Sequence, residues 1–119
     1  MKNIVITSTI LFSLFTFSCK KSYDYNVEYK VTIVPYSGQT SFTTDIEYIT
    51  KDNAIQKISI NSTQWEFNFK GKEDDNAYLK GINLSNGSTL KIEIIVNGTS
   101  YKNECNTSSC DVELKKTLN

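Results

Sequence analysis

Apolar and polar residues alternate with a period of two through most of the chain after residue 26. The clearest run places Trp65, Phe67 and Phe69 between polar neighbours. An earlier run does the same with apolar residues from Val27 to Ile33. Successive side chains of a β-strand point to opposite faces, so this period predicts strands with one buried face. Seven or eight short segments carry the pattern and no segment reads as a convincing helix, which predicts an all-β chain.

Turn signals separate these segments at regular intervals. Pro35 ends the first strand and a YSGQ turn follows it, residues 51–53 form the next turn, and residues 71–76 form a charged loop. Asn-Gly pairs mark two tight turns, and the one at Asn97-Gly98 predicts a type I′ hairpin. Short antiparallel strands at this spacing predict an immunoglobulin-like β-sandwich, with a small barrel as the alternative.

The large apolar and aromatic residues divide into a predicted core set and a predicted surface set. We expect Trp65, Phe67, Ile92 and Ile94 to be buried between the two sheets, since a single tryptophan on an alternating strand of a sandwich usually belongs to the core. An exposed Trp65 would instead make it a binding-site residue. Several tyrosines fit the core pattern less well and could form a contact surface, namely Tyr23, Tyr25, Tyr36 and Tyr101.

The N-terminus has the three parts of an export signal. Lys2 gives it a positive charge, residues 4–17 form an uncharged and mostly apolar run, and Ser18-Cys19 follows directly. The run is short for a membrane-spanning helix, which needs about twenty residues. A small residue before a cysteine at this place is similar to the site where lipoprotein signal peptidase cleaves. The alternatives are an ordinary secretory signal with a chance cysteine, or an uncleaved anchor.

We therefore predict a lipid-anchored protein of a bacterial envelope. Residues 1–18 are the signal peptide, Cys19 carries the lipid, residues 19–26 form a tether and residues 27–119 form the β-sandwich domain. Lys20 stands where an aspartate retains enterobacterial lipoproteins in the inner membrane. This difference favours the outer membrane, on its periplasmic face or at the cell surface.

The cysteine count agrees with this interpretation. An odd number of cysteines is unusual in an exported protein, but a lipid on Cys19 leaves the pair Cys105 and Cys110. If the flanking strands run straight into the polar loop between them, the two cysteines face each other across an antiparallel pair, within disulfide range. A redox site would favour a C-x-x-C spacing, and a metal site would need further soft ligands.

Composition excludes several kinds of function. The chain contains no Arg and no His among 13 basic and 13 acidic residues, and loss of Lys2 leaves the mature protein at a net charge of −1. A near-neutral domain offers no electrostatic footprint for nucleic acid. We find no nucleophile with a base and no phosphate-binding loop, so we predict no enzyme activity, no cofactor and no metal. One alternative is calcium at residues 73–75, although their spacing does not follow an EF-hand loop.

From Val27 to the C-terminus, the chain resembles the MmpS-like family of small envelope proteins. The resemblance rests on the opening strand VEYKVTIV, on the aromatic strand TQWEFNF, and on the late hairpin STLKIEIIVNGTSYK. Gln64 stands where the family usually has proline. The resemblance implies a β-sandwich lipoprotein that assists a large membrane transporter for lipids or siderophores. Its mycobacterial members are anchored by a transmembrane helix, and the family has no catalytic residues to carry over.

Two hypotheses for function follow from these features. The first is a non-catalytic, lipid-anchored module that binds an envelope partner such as a transporter, or a lipid-like ligand. The alternative is a surface lipoprotein that binds carbohydrate or a host protein through exposed tyrosines. An enzyme ranks third, because the chain has no His and no nucleophile paired with a base.

Overall fold

The computed structural model describes residues 24–39, 43–51, 53–84, 87–107 and 109–119. In these residues the chain forms eight strands and no helix. The strands are β1 (Asp24–Val34), β2 (Thr44–Ile49), β3 (Ile55–Ile60), β4 (Gln64–Lys72), β5 (Asn76–Asn83), β6 (Thr89–Val96), β7 (Thr99–Cys105) and β8 (Asp111–Thr117). Sheet A has the order β4-β1-β6-β7 and sheet B the order β3-β2-β5-β8. This confirms the predicted all-β sandwich. The strands form two separate four-stranded sheets, so the chain does not adopt the alternative barrel.

Most strand neighbours match those of an immunoglobulin sandwich. In that fold, strand B pairs with E, C with F, and F with G. Here β1 pairs with β4, β2 with β5, and β5 with β8, all antiparallel. β3 pairs with β2 as strand C′ does in variable-type domains. The hairpin β6–β7 lies on the other side of β1 and completes sheet A.

The predicted alternation describes the core well. Every second residue of β1 from Val27 to Ile33 is buried, and so are Ile92 and Ile94 of β6, as expected. In β5 the buried face consists of Ala77, Leu79, Gly81 and Asn83. The other face of each central strand carries its charged residues, so each sheet has one face toward the core and one toward solvent.

Several turns also agree with their sequence signals. β1 ends directly before Pro35, and the Gln39 N–H bonds to the Tyr36 carbonyl at 3.0 Å. Asn97 and Gly98 have φ values of 47° and 86°, the positive values that a type I′ turn requires. The second Asn-Gly pair lies partly outside the described residues.

Two predicted boundaries were wrong. β1 begins at Asp24, where it pairs with Lys72, so residues 24–26 belong to the sandwich and not to the tether. The loop predicted for residues 71–76 is shorter, because β4 continues to Lys72 and β5 begins at Asn76. In both places polar side chains point to solvent while the backbone completes the β1–β4 ladder, and ladder pairing leaves no signal in residue polarity.

Trp65 and Phe67 are only half-buried, which corrects the expectation of full burial. β4 is the edge strand of sheet A, and a side chain at an edge is covered from fewer sides than one on a central strand. Both rings still pack against the core. The Tyr48 ring centroid lies 4.9 Å from that of Trp65 and 5.0 Å from that of Phe67.

A buried tyrosine hydroxyl joins the two sheets. Tyr29 of β1 donates a hydrogen bond to the Ile49 carbonyl at 2.7 Å and accepts one from the Tyr78 N–H at 3.1 Å. The β2–β5 ladder ends one pair earlier, at Tyr48 and Leu79. The hydroxyl therefore bridges the next two backbone groups of sheet B. Burial raises the pKa of Tyr29 above its ordinary value.

Each outer face carries a row of alternating charges. Across sheet A the row runs through Glu66, Lys30, Glu93 and Lys102. Across sheet B it runs through Lys57, Glu47, Lys80 and Glu113. Opposite charges on directly paired residues stabilise a register by about 0.2–1 kcal/mol for each pair. A shifted register would break these pairs. These rows thus favour the observed pairing.

Replacement of Tyr29 by Phe tests the bridge between the sheets. The variant keeps the ring but leaves the Ile49 carbonyl and the Tyr78 N–H without their buried partner. We expect the free energy of unfolding to fall by about 1–3 kcal/mol, measured by urea denaturation. Tyr36→Phe is the matched control and should change stability little, because that side chain is half-exposed. An unchanged Tyr29→Phe midpoint would contradict the bridging role.

Candidate functional site

Four connections meet at the end of the sandwich that lies opposite the start of β1. We call them the far loops; of the residues that the structure describes, they comprise 35–39 and 43, 61–63, 84 and 87–88, and 106–107 with 109–110. The strand directions bring them together, since β1, β3, β5 and β7 all run toward this end. The chain enters the sandwich at the other end, at Asp24.

Backbone hydrogen bonds tie the far loops to one another and to the strands. The Leu84 N–H donates to the Thr43 carbonyl at 3.2 Å, and the Asn83 N–H donates to the Cys110 carbonyl at 2.9 Å. The Ile33 N–H donates to the Thr63 carbonyl at 2.8 Å. These bonds fix residues of each loop to a neighbouring loop or to the end of a strand.

A buried amide supports the loop between β5 and β6. Asn83 is fully buried, and its side chain donates to the Ser88 carbonyl at 2.9 Å and accepts from the Ser88 hydroxyl at 3.1 Å. These bonds satisfy polar groups that would be costly to bury alone. They also hold the two ends of residues 84–88 together.

Exposed apolar side chains lie at this end. Tyr36 and Leu84 are each 51% exposed, and Val34 is 45% exposed. The Tyr36 ring lies against Gly87, so close that a Cβ at Gly87 would stand 2.7 Å from the ring. Only glycine permits this contact between the first and third far loops. The tyrosine ring is therefore held at the surface by a neighbouring loop.

The far loops contain no charged residue. Their described residues are mainly Ser, Thr, Asn, Gly and Gln, with Tyr36 and Leu84 as the large apolar members. Loops rich in Tyr, Ser, Gly and Asn are typical of antibody combining sites, where tyrosine gives contact area and small polar residues give adaptable hydrogen bonds. In variable-type domains the loops after strands B, C′ and F lie at the same end as one another. The loops after β1, β3 and β5 hold the corresponding places.

A disulfide closes the fourth far loop. Cys105 and Cys110 are bonded, with their Cα atoms 6.2 Å apart, which confirms the predicted pair. The expected setting was wrong, however: β7 pairs with β6 and β8 pairs with β5, so the cysteines do not face each other across one ladder. The disulfide instead links sheet A to sheet B. Adjacency in sequence suggested a hairpin, but β7 and β8 each find their partner in another strand.

The opposite end of the sandwich is charged and tied to the C-terminus. The Asp75 carboxylate accepts a hydrogen bond from the Lys72 N–H at 3.0 Å. The Asp74 N–H donates to the Leu118 carbonyl at 2.7 Å, and the Leu118 N–H donates to the Asp75 carbonyl at 2.8 Å. The acidic residues 73–75 thus form a turn whose third carboxylate is used within the turn. In the described chain no cluster of three His, Cys, Asp or Glu side chains is placed to hold a metal ion.

The outer faces of the sheets offer shallow, mixed-charge surfaces. A depression of about 510 Å³ on sheet A is lined by both signs of charge, including Lys30, Glu93 and Lys102. On sheet B the Tyr78 hydroxyl bonds to the Glu113 carboxylate at 3.2 Å. Partial burial and this nearby carboxylate raise the pKa of Tyr78 to about 12. Such balanced faces do not concentrate charge of one sign for an ionic ligand.

The remaining predicted site residues fall in different places. Cys19, the signal at residues 1–18 and Tyr23 lie outside the described residues, and their predicted roles stay predictions. Tyr25 packs against the core, and the Tyr101 ring receives the Lys116 ammonium at 4.9 Å, so these tyrosines do not form one surface with Tyr36. The far loops were missed as a group because only the strand order brings them together.

Comparison with known proteins adds no assignment. Neither a protein-family model nor a curated protein matches this chain. The MmpS-like resemblance therefore stays a prediction. In the described residues, no helix is long and apolar enough to span a membrane.

Removal of the disulfide should cost about 2 kcal/mol of unfolding free energy, because the cross-link closes only a short loop. The double variant Cys105→Ser/Cys110→Ser should still fold, since the buried core between the two sheets is retained. Urea denaturation of the wild type with and without reductant measures the same loss independently. The double variant should not respond to reductant. Equal stability of the oxidised wild type and the variant would contradict this role.

Proposed function

We propose that this protein is a non-catalytic, lipid-anchored binding module of a bacterial envelope, and that the far loops contact its partner. The observation that carries the proposal is the placement of an uncharged, tyrosine-bearing loop surface at the end opposite the chain entry. For a single copy, an anchor at Cys19 would leave this end the more accessible one. The sequence features of the N-terminus support the anchor.

The far loops suit a partner protein or an uncharged ligand. Their hydroxyl and amide groups can donate and accept hydrogen bonds, while Tyr36 and Leu84 offer apolar contact. Because these loops carry no charge, they do not favour a highly charged partner. An accessory role beside an envelope transporter agrees with this chemistry and with the MmpS-like resemblance.

A surface lipoprotein that binds carbohydrate or a host protein is the second candidate. The observation that favours it is the exposed Tyr36 ring, held in place by Gly87 and surrounded by polar, uncharged loops. Aromatic rings with neighbouring hydroxyl and amide groups are well suited to the apolar faces and hydroxyls of sugars. Protease treatment of intact cells distinguishes the two: digestion supports surface display, whereas protection supports a periplasmic partner.

The anchor is tested by the intact mass of the mature protein from membranes. We expect a chain that begins at Cys19 and carries acyl groups, and we expect it to fractionate with membranes. A Cys19→Ala variant should lose the acyl mass and the membrane association. A wild-type chain that begins at another residue, or that has no acyl mass, would rule out the lipid anchor.

The contact surface is tested by photo-crosslinking in the native envelope. A photoreactive side chain at Ser37 or Thr107 should give a defined adduct, while the same group at Lys57 or Lys115, on the outer face of sheet B, should give none. Tyr36→Ala should lower the adduct yield about tenfold or more if this ring is an anchor of the interface. Adducts only from the sheet B positions would overturn the assignment of the far loops.

A further inference from the structure

The strand β4 has an unpaired edge. It spans nine residues, pairs with β1 on one side only, and forms the margin of sheet A. Its inward side chains Trp65, Phe67 and Phe69 are half-buried. An edge strand presents free backbone donors and acceptors that can pair with another strand.

The contacts between the two sheets differ at the two sides of the sandwich. At the β7–β8 side the sheets are joined by the disulfide, by a bond of 3.4 Å from the Asn103 amide to the Glu113 carbonyl, and by Lys116 over the Tyr101 ring. At the β3–β4 side no hydrogen bond or ion pair joins the two strands within the part of the chain that the structure describes. The aromatic residues of β4 therefore line the open side.

The charge row of sheet A stops at this edge. It alternates from Lys102 through Glu93 and Lys30 to Glu66, and no strand lies beyond Glu66. Among the described residues neither Glu66 nor Lys70 takes part in an ion pair. The row thus lacks a cation on the free side of Glu66.

We propose that β4 binds a second copy of this chain, edge to edge and antiparallel, about a two-fold axis that passes through Asn68. In this register all nine residues of β4 pair. Glu66 of each copy faces Lys70 of the other, which continues the alternating row across the junction. Phe67 faces Phe69, and Trp65 faces the small Gly71, so the aromatic face becomes continuous and more deeply buried.

The neighbouring registers fit less well. A two-fold axis at Phe67 places Glu66 against Asn68 and leaves both charges unpaired. An axis at Phe69 pairs Glu66 with Lys72 but shortens the ladder and places Lys70 against Asn68. The self-complementary pattern of β4 therefore selects one register, as a closed two-fold interface requires.

The other edge strands are less suited to pair with the same strand of a second copy. Lys57 is the only charged residue of β3, so that strand cannot form an opposite-charge pair with its copy. On β8, Glu113 already meets Lys115 at 3.9 Å and Tyr78 at 3.2 Å. On β7, Cys105 and Asn103 are engaged with the β8 side.

Pairing through β4 leaves three of the far loops of each copy uncovered, while residues 61–63 come to lie beside residues 73–75 of the other copy. The two copies run in opposite directions, so one set of far loops lies at each end of the pair. The inference therefore does not rest on the proposed function, and either can fail alone.

The first test introduces Asn68→Cys into the full-length protein and examines whole-cell extracts on a non-reducing gel. Directly opposed residues of antiparallel strands have Cα atoms about 4.5–5.5 Å apart, within disulfide range, and only a residue on the axis meets itself. We expect a reductant-sensitive band at twice the monomer mass. Lys115→Cys, exposed on the opposite side of the sandwich, is the control. A dimer yield for Asn68→Cys no higher than for this control would overturn the proposal.

The second test exchanges the charges in the Asn68→Cys background. Glu66→Lys or Lys70→Glu alone should reduce the dimer yield about tenfold or more, because each creates two symmetric like-charge pairs. The double variant Glu66→Lys/Lys70→Glu should restore the dimer. Urea denaturation checks that the single variants remain folded. A double variant as monomeric as the single ones, or single variants that dimerise like the parent, would contradict the pairing.

Discussion

The hydroxyl of Tyr29 is the interaction on which the arrangement of the two sheets depends. Side-chain packing alone can slide, whereas a buried hydroxyl that bonds two backbone groups of the opposite sheet has one satisfied position. Tyr29 also stands in the aromatic cluster, with its ring centroid 5.3 Å from that of Phe69 and 6.1 Å from that of Tyr48. The same residue thus connects the core to the open side of the sandwich.

Charge is distributed unevenly over the resulting body. Alternating rows occupy the outer faces, and the end with the acidic turn carries further charge, while the far loops carry none. Opposite charges face each other along these rows, which favours the observed register. The uncharged end carries hydroxyl, amide and aromatic groups, which recognise a partner by shape and hydrogen bonding rather than by long-range attraction.

The two sides of the sandwich have different roles. The disulfide side closes the sheets covalently near the far loops, which supports those loops without covering them. The β4 side remains open, with aromatic residues at a free edge and charges that complement their own copy. A single small domain can in this way offer one surface to a ligand and a separate edge to a second copy of itself.

Sequence alone determined the all-β class, the faces of β1 and β6, the Asn97-Gly98 hairpin and the cysteine pair, because alternation and turn chemistry are local properties. It predicted none of the pairings between distant strands. The tertiary structure decided that β7 and β8 belong to different sheets, that Trp65 stands at an edge, and that four separate uncharged segments meet at one end. A period of two says which side chains share a face, but the partner of a strand depends on long-range packing, and so both candidate surfaces appear only once the strand order is known.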